Sequence, residues 1–418
     1  MDFVHADRPG RRVRLAYCLN VHPSDDVDGV LDGLERITAP LRERIAPGAP
    51  FGVGMYLPAA VAEPMAGPGR VGLDRLRGAL GHHGLVPFTF NAFPHGGFLE
   101  RGLKRGVFRP RWDESARVDF TRAVASLACE LAGEDGGHVS ISTHDGMHGT
   151  EGSGLHALER CAPNFGAVAQ TLREHENRSG VRVVLGVEPE PRSSANDTAE
   201  WSDRAARQVE LICDGDGGLT PDVVTRHLGL CLDACHAAVE FEPLDAAARR
   251  ARDAGRPLAK FQFSSALRLP APHADPTGRA ALLALHEPTF LHQVTARGSD
   301  GQLHRVGDLD ELEQRADEPE FASADEWRCH FHVPVDLEGP LEGSGSLSTT
   351  VSDADALLRR LLDDPDLWGL DDLHLEIETY TWSVLSSAAR GAGDLIDGLE
   401  REYAHVLGVL DGAGWRRA

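Results

Sequence analysis

Carboxylates and imidazoles recur at the ends of apolar runs in this 418-residue chain. Glu188 closes Val183-Val-Leu-Gly-Val187, Asp233 closes Leu228-Gly-Leu-Cys-Leu232, and Glu378 ends a third run that also carries His374 and Glu376. A carboxylate in that position is largely desolvated and repels like neighbours unless a cation neutralises the group. Three such carboxylates converging with imidazoles form a mixed oxygen and nitrogen site suited to a divalent metal: Mn²⁺, Mg²⁺, Co²⁺ or Zn²⁺. Any one of these acids alone reads as well as a loop residue with a local ion pair or cap. The case rests on all three standing at corresponding positions.

Other side chains fall into place around them. In Asp233-Ala-Cys-His236 the three-residue offset forbids a shared strand face, so His236 either reaches back from the loop or caps the following segment. In His330-Phe-His332-Val-Pro334 the alternation puts both imidazoles on one face, and His332 is the expected imidazole ligand. Alternation also pairs Asn20 with His22, Glu188 with Glu190, and Glu376 with Glu378. Asn20, His22, Asn91, His144, Gln262 and Glu376 are expected to contact substrate. Lys260 shares its face with Gln262; it would neutralise an anionic substrate, polarise a carbonyl, or pair with a strand acid. Other signatures fail: no phosphate loop, no Gly-x-Ser-x-Gly elbow and no dinucleotide fingerprint is present.

The elements needed to position these groups are legible as an alternation. β-rich runs over 14–22, 51–57, 85–91, 138–143, 181–187, 228–233, 258–264 and 373–378 are interleaved with amphipathic segments over 26–45, 71–80, 115–131 and 155–174. A last amphipathic helix covers 393–411. The near-continuous apolar character of 181–187 marks a strand covered on both faces, as in a parallel sheet. Eight strands with helices after most of them predict a (β/α)8 TIM barrel in preference to an open doubly wound sheet. Barrel enzymes build their sites from the C-terminal ends of the strands, where the acids listed above stand. A predicted hairpin over 292–304 and an acidic run over 308–326 break the spacing between the seventh and eighth strands. The reading is one barrel domain, 1–418, with an insertion or lid over 270–365 and its most flexible part at 339–348.

Composition removes several classes. With 42 basic against 65 acidic residues the formal charge is −23, which argues against nucleic acid as the main partner and suits a metal cation or a small polar metabolite. A hydrophobic fraction of 41% excludes a disordered chain. No apolar run approaches the ~20 residues of a membrane span, and the polar, arginine-rich start does not read as a secretory signal. The seven scattered cysteines are expected as reduced thiols in a cytoplasm.

Glu188, the Leu232-Asp-x-x-His236 segment and Glu378 resemble the metal-ligand pattern of the xylose isomerase-like barrel superfamily. More narrowly, Tyr17-Cys-Leu-Asn-Val-His22, Phe261-Gln-Phe-Ser-Ser-Ala-Leu267, Leu291-His-Gln293, His330-Phe-His-Val-Pro334 and Leu375-Glu-Ile-Glu-Thr-Tyr-Thr-Trp382 resemble the EboE "metabolite traffic" family. That resemblance runs over nearly the whole chain. It implies a bacterial protein encoded beside small-metabolite enzymes, and it adds Trp382 to the substrate-binding candidates. The chain departs from sugar epimerases at Gln262, which stands where they carry a seventh-strand histidine. The leading expectation is a metal-dependent isomerase or epimerase of a sugar, cyclitol or related polyol, phosphorylated forms included. Glu188, Asp233, His332 and Glu378 would hold the metal, Glu188 or Glu378 would act as base, and His236 or Lys260 would assist. A metal-dependent hydrolase with two or three ions and a non-catalytic metabolite carrier stay open beside it.

Overall fold

The computed structural model describes residues 1–132, 137–152, 154–215, 218–383, 385 and 393–418. After a short strand β1 (Asp2–Val4), the chain lays down β2 (Arg12–Cys18), β3 (Phe51–Tyr56), β4 (Leu85–Asn91), β5 (His138–His144), β6 (Arg182–Glu188), β7 (Leu228–Asp233) and β8 (Leu258–Phe263) as parallel neighbours. Five further strands follow: β9 (Ser265–Pro270), β10 (Val294–Arg297), β11 (Leu303–Val306), β12 (Glu326–Val333) and β13 (Ser348–Thr349). The chain then returns as β14 (Asp372–Ile377), which pairs in parallel with β8 on one side and β2 on the other. Among the described residues, eight parallel strands thus close into a (β/α)8 barrel. A two-residue strand, β15 (Arg416–Arg417), pairs back onto β1.

Helices cover the barrel because their apolar stripes need the outer faces of the strands. Asp26, Asp197 and Asp394 cap three of them by accepting from backbone N–H groups. The first helical stretch is not continuous: Val27–Gly33 passes through a wider turn at Leu34–Thr38 before Ala39–Ile45, just ahead of Pro40, which has no N–H to donate.

The second sheet is antiparallel, ordered β11-β10-β12-β9-β13, and packs on its own apolar core of Leu267, Val294, Leu312 and Trp327. It starts at Ser265, two residues after β8 ends. The helix Val351–Asp363, by contrast, buries Leu357, Leu358, Leu361 and Leu362 in the main barrel core, so it belongs to the barrel layer although it lies inside the 270–365 span. The segment 339–348 is tied down: Asp275 accepts from the Ser346 hydroxyl and N–H, and Leu341 and Leu347 join the second core.

The barrel interior is polar where such barrels are usually aliphatic. His138 and His374 stack with centroids 3.8 Å apart, and Ser140 Oγ lies 2.8 Å from His374 Nδ1. Above them Lys260 pairs with Glu376. Glycine at position 54 makes the room: a Cβ there would meet Glu376 Oε1 at 1.9 Å.

Candidate metal centre

Three strand ends deliver the acids. β6 terminates at Glu188, β7 at Asp233, and Glu378 follows β14 directly; all three side chains are buried. One oxygen from each lies within 4.8 Å of the others. The imidazoles arrive differently. His236 sits in the first turn of the helix Ala234–Val239, which Asp233 caps through His236 N (2.8 Å). His330 and His332 lie on β12, where the register with β9 breaks between Cys329 and Val333 and frees both side chains for the barrel mouth.

Hydrogen bonding fixes which ring nitrogens carry protons. His236 Nδ1 is 3.1 Å from Pro189 O, and His332 Nδ1 is 3.0 Å from Glu378 O; a carbonyl only accepts, so both Nδ1 atoms donate. Gln293 Nε2 donates to Glu190 Oε1 (2.8 Å) and Pro191 O (3.0 Å), which turns its Oε1 to accept from His330 Nδ1 at 2.6 Å. All three Nε2 atoms therefore present lone pairs. They converge: His236 Nε2 is 3.2 Å from His330 Nε2 and 3.3 Å from His332 Nε2. Burial holds His236 down at about 4, with Asp233 working against the drop, and pushes His330 well below the usual imidazole range. Near neutrality the Tyr380 hydroxyl, 3.3 Å from His330 Nε2, can serve one of the facing lone pairs, and the rings carry no proton for the others. A divalent cation would serve them, and the backbone and amide partners behind each ring are the usual supports of ligating histidines.

The acids carry the same message. Burial, then Glu378, Asp233 and Glu190, push Glu188 well above the carboxylate range; Lys260 offsets this in part. Glu378 is raised by burial and by Asp233 and Glu376. Among the described residues, the ion-pair partners of these three acids are His236 and His332. Among the described residues four overlapping donor sets result, one of them Cys235, His330 and His332. Glu188, Asp233 and Glu378 form another, with His332 and His236 beside Asp233 in a third; Glu190, His236 and His330 form the fourth. The residues present fit one or more divalent ions.

The expected site residues divide sharply. Glu188, Asp233, Glu378, His332 and His236 come together. Asn20 and Asn91 line the same cleft, where each donates its Nδ2 to Glu378 Oε1 at 2.9 Å. Lys260 and Glu376 lie one layer below, paired to each other and fully buried, so neither reaches a substrate in the cleft. Gln262 is also below, accepting from Cys231 Sγ at 3.0 Å. His22 is elsewhere: β2 stops at Cys18, a 3₁₀ turn at Leu19–Val21 rotates the chain, and His22 meets Tyr17 Oη at 3.0 Å. His144 is covered by Phe93 and Phe108 and bonds Pro110 O; Trp382 packs on Gly398 of the C-terminal helix. Glu190, His330, Gln293 and Tyr380 were not singled out as site residues. The signal for Glu190, His330 and Tyr380 was the two-residue period shared with Glu188, His332 and Glu378; Gln293 has no such period.

No family model matches the chain, and no curated protein sequence matches it. Among solved structures the chain is similar to an L-ribulose 3-epimerase (TM-score 0.48, 15% identity, 96% of this chain and 95% of that one). It is also similar to a D-psicose 3-epimerase crystallised in the presence of D-fructose (TM-score 0.45, 11% identity, 96% and 99%). A third is a xylose isomerase domain containing protein from Salmonella typhimurium LT2 (TM-score 0.43, 11% identity, 95% and 97%).

Proposed function

We propose that the protein is a metal-dependent isomerase or epimerase of a sugar, cyclitol or related polyol, and that its narrower kinship is with the EboE-type proteins. The observation that carries the reading is the floor of the cleft: the carboxylate triad Glu188, Asp233 and Glu378, with the imidazole lone pairs of His236 and His332 beside Asp233 and that of His330 facing His236. A bound divalent ion would supply Lewis acidity toward a substrate carbonyl or hydroxyl. The chain's own groups do the rest. Glu188 and Glu378, side by side at the floor, take a proton from a carbon next to a carbonyl and return it. Asn20 and Asn91 fix Glu378 by holding its Oε1. Tyr380, with Oη 3.3 Å from His330 Nε2, closes the floor on the second-sheet side.

The test is carbon–hydrogen exchange. Metal-loaded protein incubated in D₂O with ketoses, aldoses and inososes should place deuterium next to the carbonyl of one of them, as read by NMR. Asp233→Ala should lose both bound metal and exchange, and exchange persisting in metal-free protein refutes the reading. One observation favours a second reading, metal-assisted hydrolysis: Glu190 and His330 extend the donors beyond the carboxylate triad, in a set that shares His236 with Asp233 and His332. That reading requires at least two ions per chain by elemental analysis and no deuterium incorporation.

A further inference from the structure

The cleft changes character with height. Its floor is the acid and imidazole cluster, but the walls above it are rings and branched chains. Phe98, Phe290 and Tyr380 touch one another, with centroids 5.3 Å (Phe98–Phe290), 5.0 Å (Phe98–Tyr380) and 5.1 Å (Phe290–Tyr380) apart. Tyr380 continues this wall down to the floor by stacking on His332 at 4.6 Å. Phe93, Leu291 and Val107, which also line the cleft, belong to a second apolar cluster. The polar side chains above the floor are Thr289 and Lys104, and the lysine's charge is balanced by an ion pair, with Nζ 2.8 Å from Asp308 Oδ2, although it makes no hydrogen bond there.

A sugar bearing a hydroxyl on every carbon could satisfy those groups along the floor only. Each hydroxyl set against the rings would give up water without a partner, which costs free energy. A phosphate fares worse, because the described lining residues offer no uncompensated cation and Glu188, Glu190 and Glu378 face the same space. An apolar substituent gains from the same walls.

We propose that the substrate is amphipathic, with a polyol or hydroxycarbonyl head on the floor and an uncharged apolar arm, acyl, aryl or isoprenoid in chemistry, against Phe98, Phe290 and Tyr380. The inference rests on the function proposed above for the head end, and the experiment separates the two. Acetohydroxamate and 6-phenylhexanohydroxamate share a neutral two-oxygen chelating head and differ only in the arm. Calorimetric titration of Mn²⁺-loaded protein should show the phenylhexanoyl probe binding at least about 30-fold tighter, as expected for a buried ring and chain. Phe98→Ala and Phe290→Ala should each cut that ratio to roughly 5-fold or less, and Phe98→Leu should keep most of it. Equal affinity for the two probes overturns the proposal while leaving the metal reading intact. If neither hydroxamate binds, the metal reading has failed, and the walls are then judged on metal-free protein with 1,2-octanediol and 1,2-propanediol. Saturation transfer to the octyl chain that Phe98→Asp abolishes supports the proposal; transfer to neither diol overturns it.

Discussion

Lys260 Nζ lies 2.5 Å from Glu376 Oε2, and neither side chain is exposed to solvent. The pair sits in the barrel interior one layer beneath Glu378, where the ammonium also reaches Thr89 Oγ1 and Phe90 O at 3.3 Å. Burial works against the charge on Lys260, yet Glu376 and the thiols and acids around it outweigh burial and raise its pKa. Removing one partner of a buried pair leaves the other charge stranded, at a cost of about 3–5 kcal/mol. Lys260→Met should therefore destabilise the protein by roughly that much in urea denaturation, while Lys260→Met with Glu376→Leu should recover most of the loss. A single variant as stable as the parent would show the pair to be electrostatically inert.

Several buried acids away from the cluster set the pH dependence. Burial raises Asp145 to about 7 and Glu242 and Glu402 to about 8, against small opposing contributions from their hydrogen bonds. A carboxyl whose folded pKa lies above its unfolded one holds a proton more tightly when folded. Its contribution is full below the unfolded value near 4 and is lost as pH rises through the folded value. His138, lowered to about 4 by burial, acts in the opposite sense: its contribution is full above 6.5 and is lost as pH falls through 4. The His138 and acid trends oppose each other between 4 and 6.5; above that the three acids outnumber the Met1 amino group, which burial lowers from 8 to about 5 and which works in the same sense as His138. Stability should fall from pH 6.5 to 8.5 with a slope of up to about 1.4 kcal/mol per pH unit for each acid involved. Thermal denaturation of metal-free protein across that window measures it, and a rising Tm would contradict the assignment.

The amides beneath the cleft make a narrower prediction. Asn20 and Asn91 each donate to the same oxygen of Glu378. Outer partners that orient a ligand typically change metal affinity by 10–100-fold. Asn20→Ala and Asn91→Ala should weaken Mn²⁺ or Zn²⁺ binding by about that factor while the far-ultraviolet circular dichroism stays the same. Competition with a chelating dye reads the affinity directly.

How much of this was legible depends on where each side chain gets its direction. Glu188 and Asp233 end long apolar strands, so the chain before them fixes both their height and the way they point. His330 and His332 were readable by alternation, but the register break that brings them over the barrel belongs to the pairing of β12 with β9, and no local pattern encodes it. His22 shows the converse. Two-residue spacing from Asn20 suggested a shared face, but a strand that stops at Cys18 has no alternation left to propagate. Lys260 and Glu376 were legible as inward residues, yet their height in the barrel, which hides them from any substrate, comes from the stagger of the strands. Phe98 and Phe290 come from loops with no periodicity at all.

Glu188 is the acid with least support from the protein. Its oxygens meet Cys231 Sγ at 3.6 Å and His236 Nδ1 at 3.4 Å, whereas Asp233 accepts from Ser264 Oγ and His236 N, and Glu378 from two amides. In metal-free protein Glu188 is held against Glu378 and Asp233 with little compensation, a local cost of the kind that functional sites carry. Glu188→Gln keeps nearly the same shape without the cost of either burying that charge or taking up a proton to quench it, so it should stabilise the metal-free protein by roughly 0.5–2 kcal/mol. The same change deletes a ligand. The parent should gain about 2.7 kcal/mol with metal at a hundred times Kd, and the variant should gain little. The two denaturation curves should therefore cross: the variant more stable in chelator, the parent more stable in Mn²⁺. Curves that keep the same order under both conditions would mean that Glu188 neither strains the empty cluster nor binds the ion.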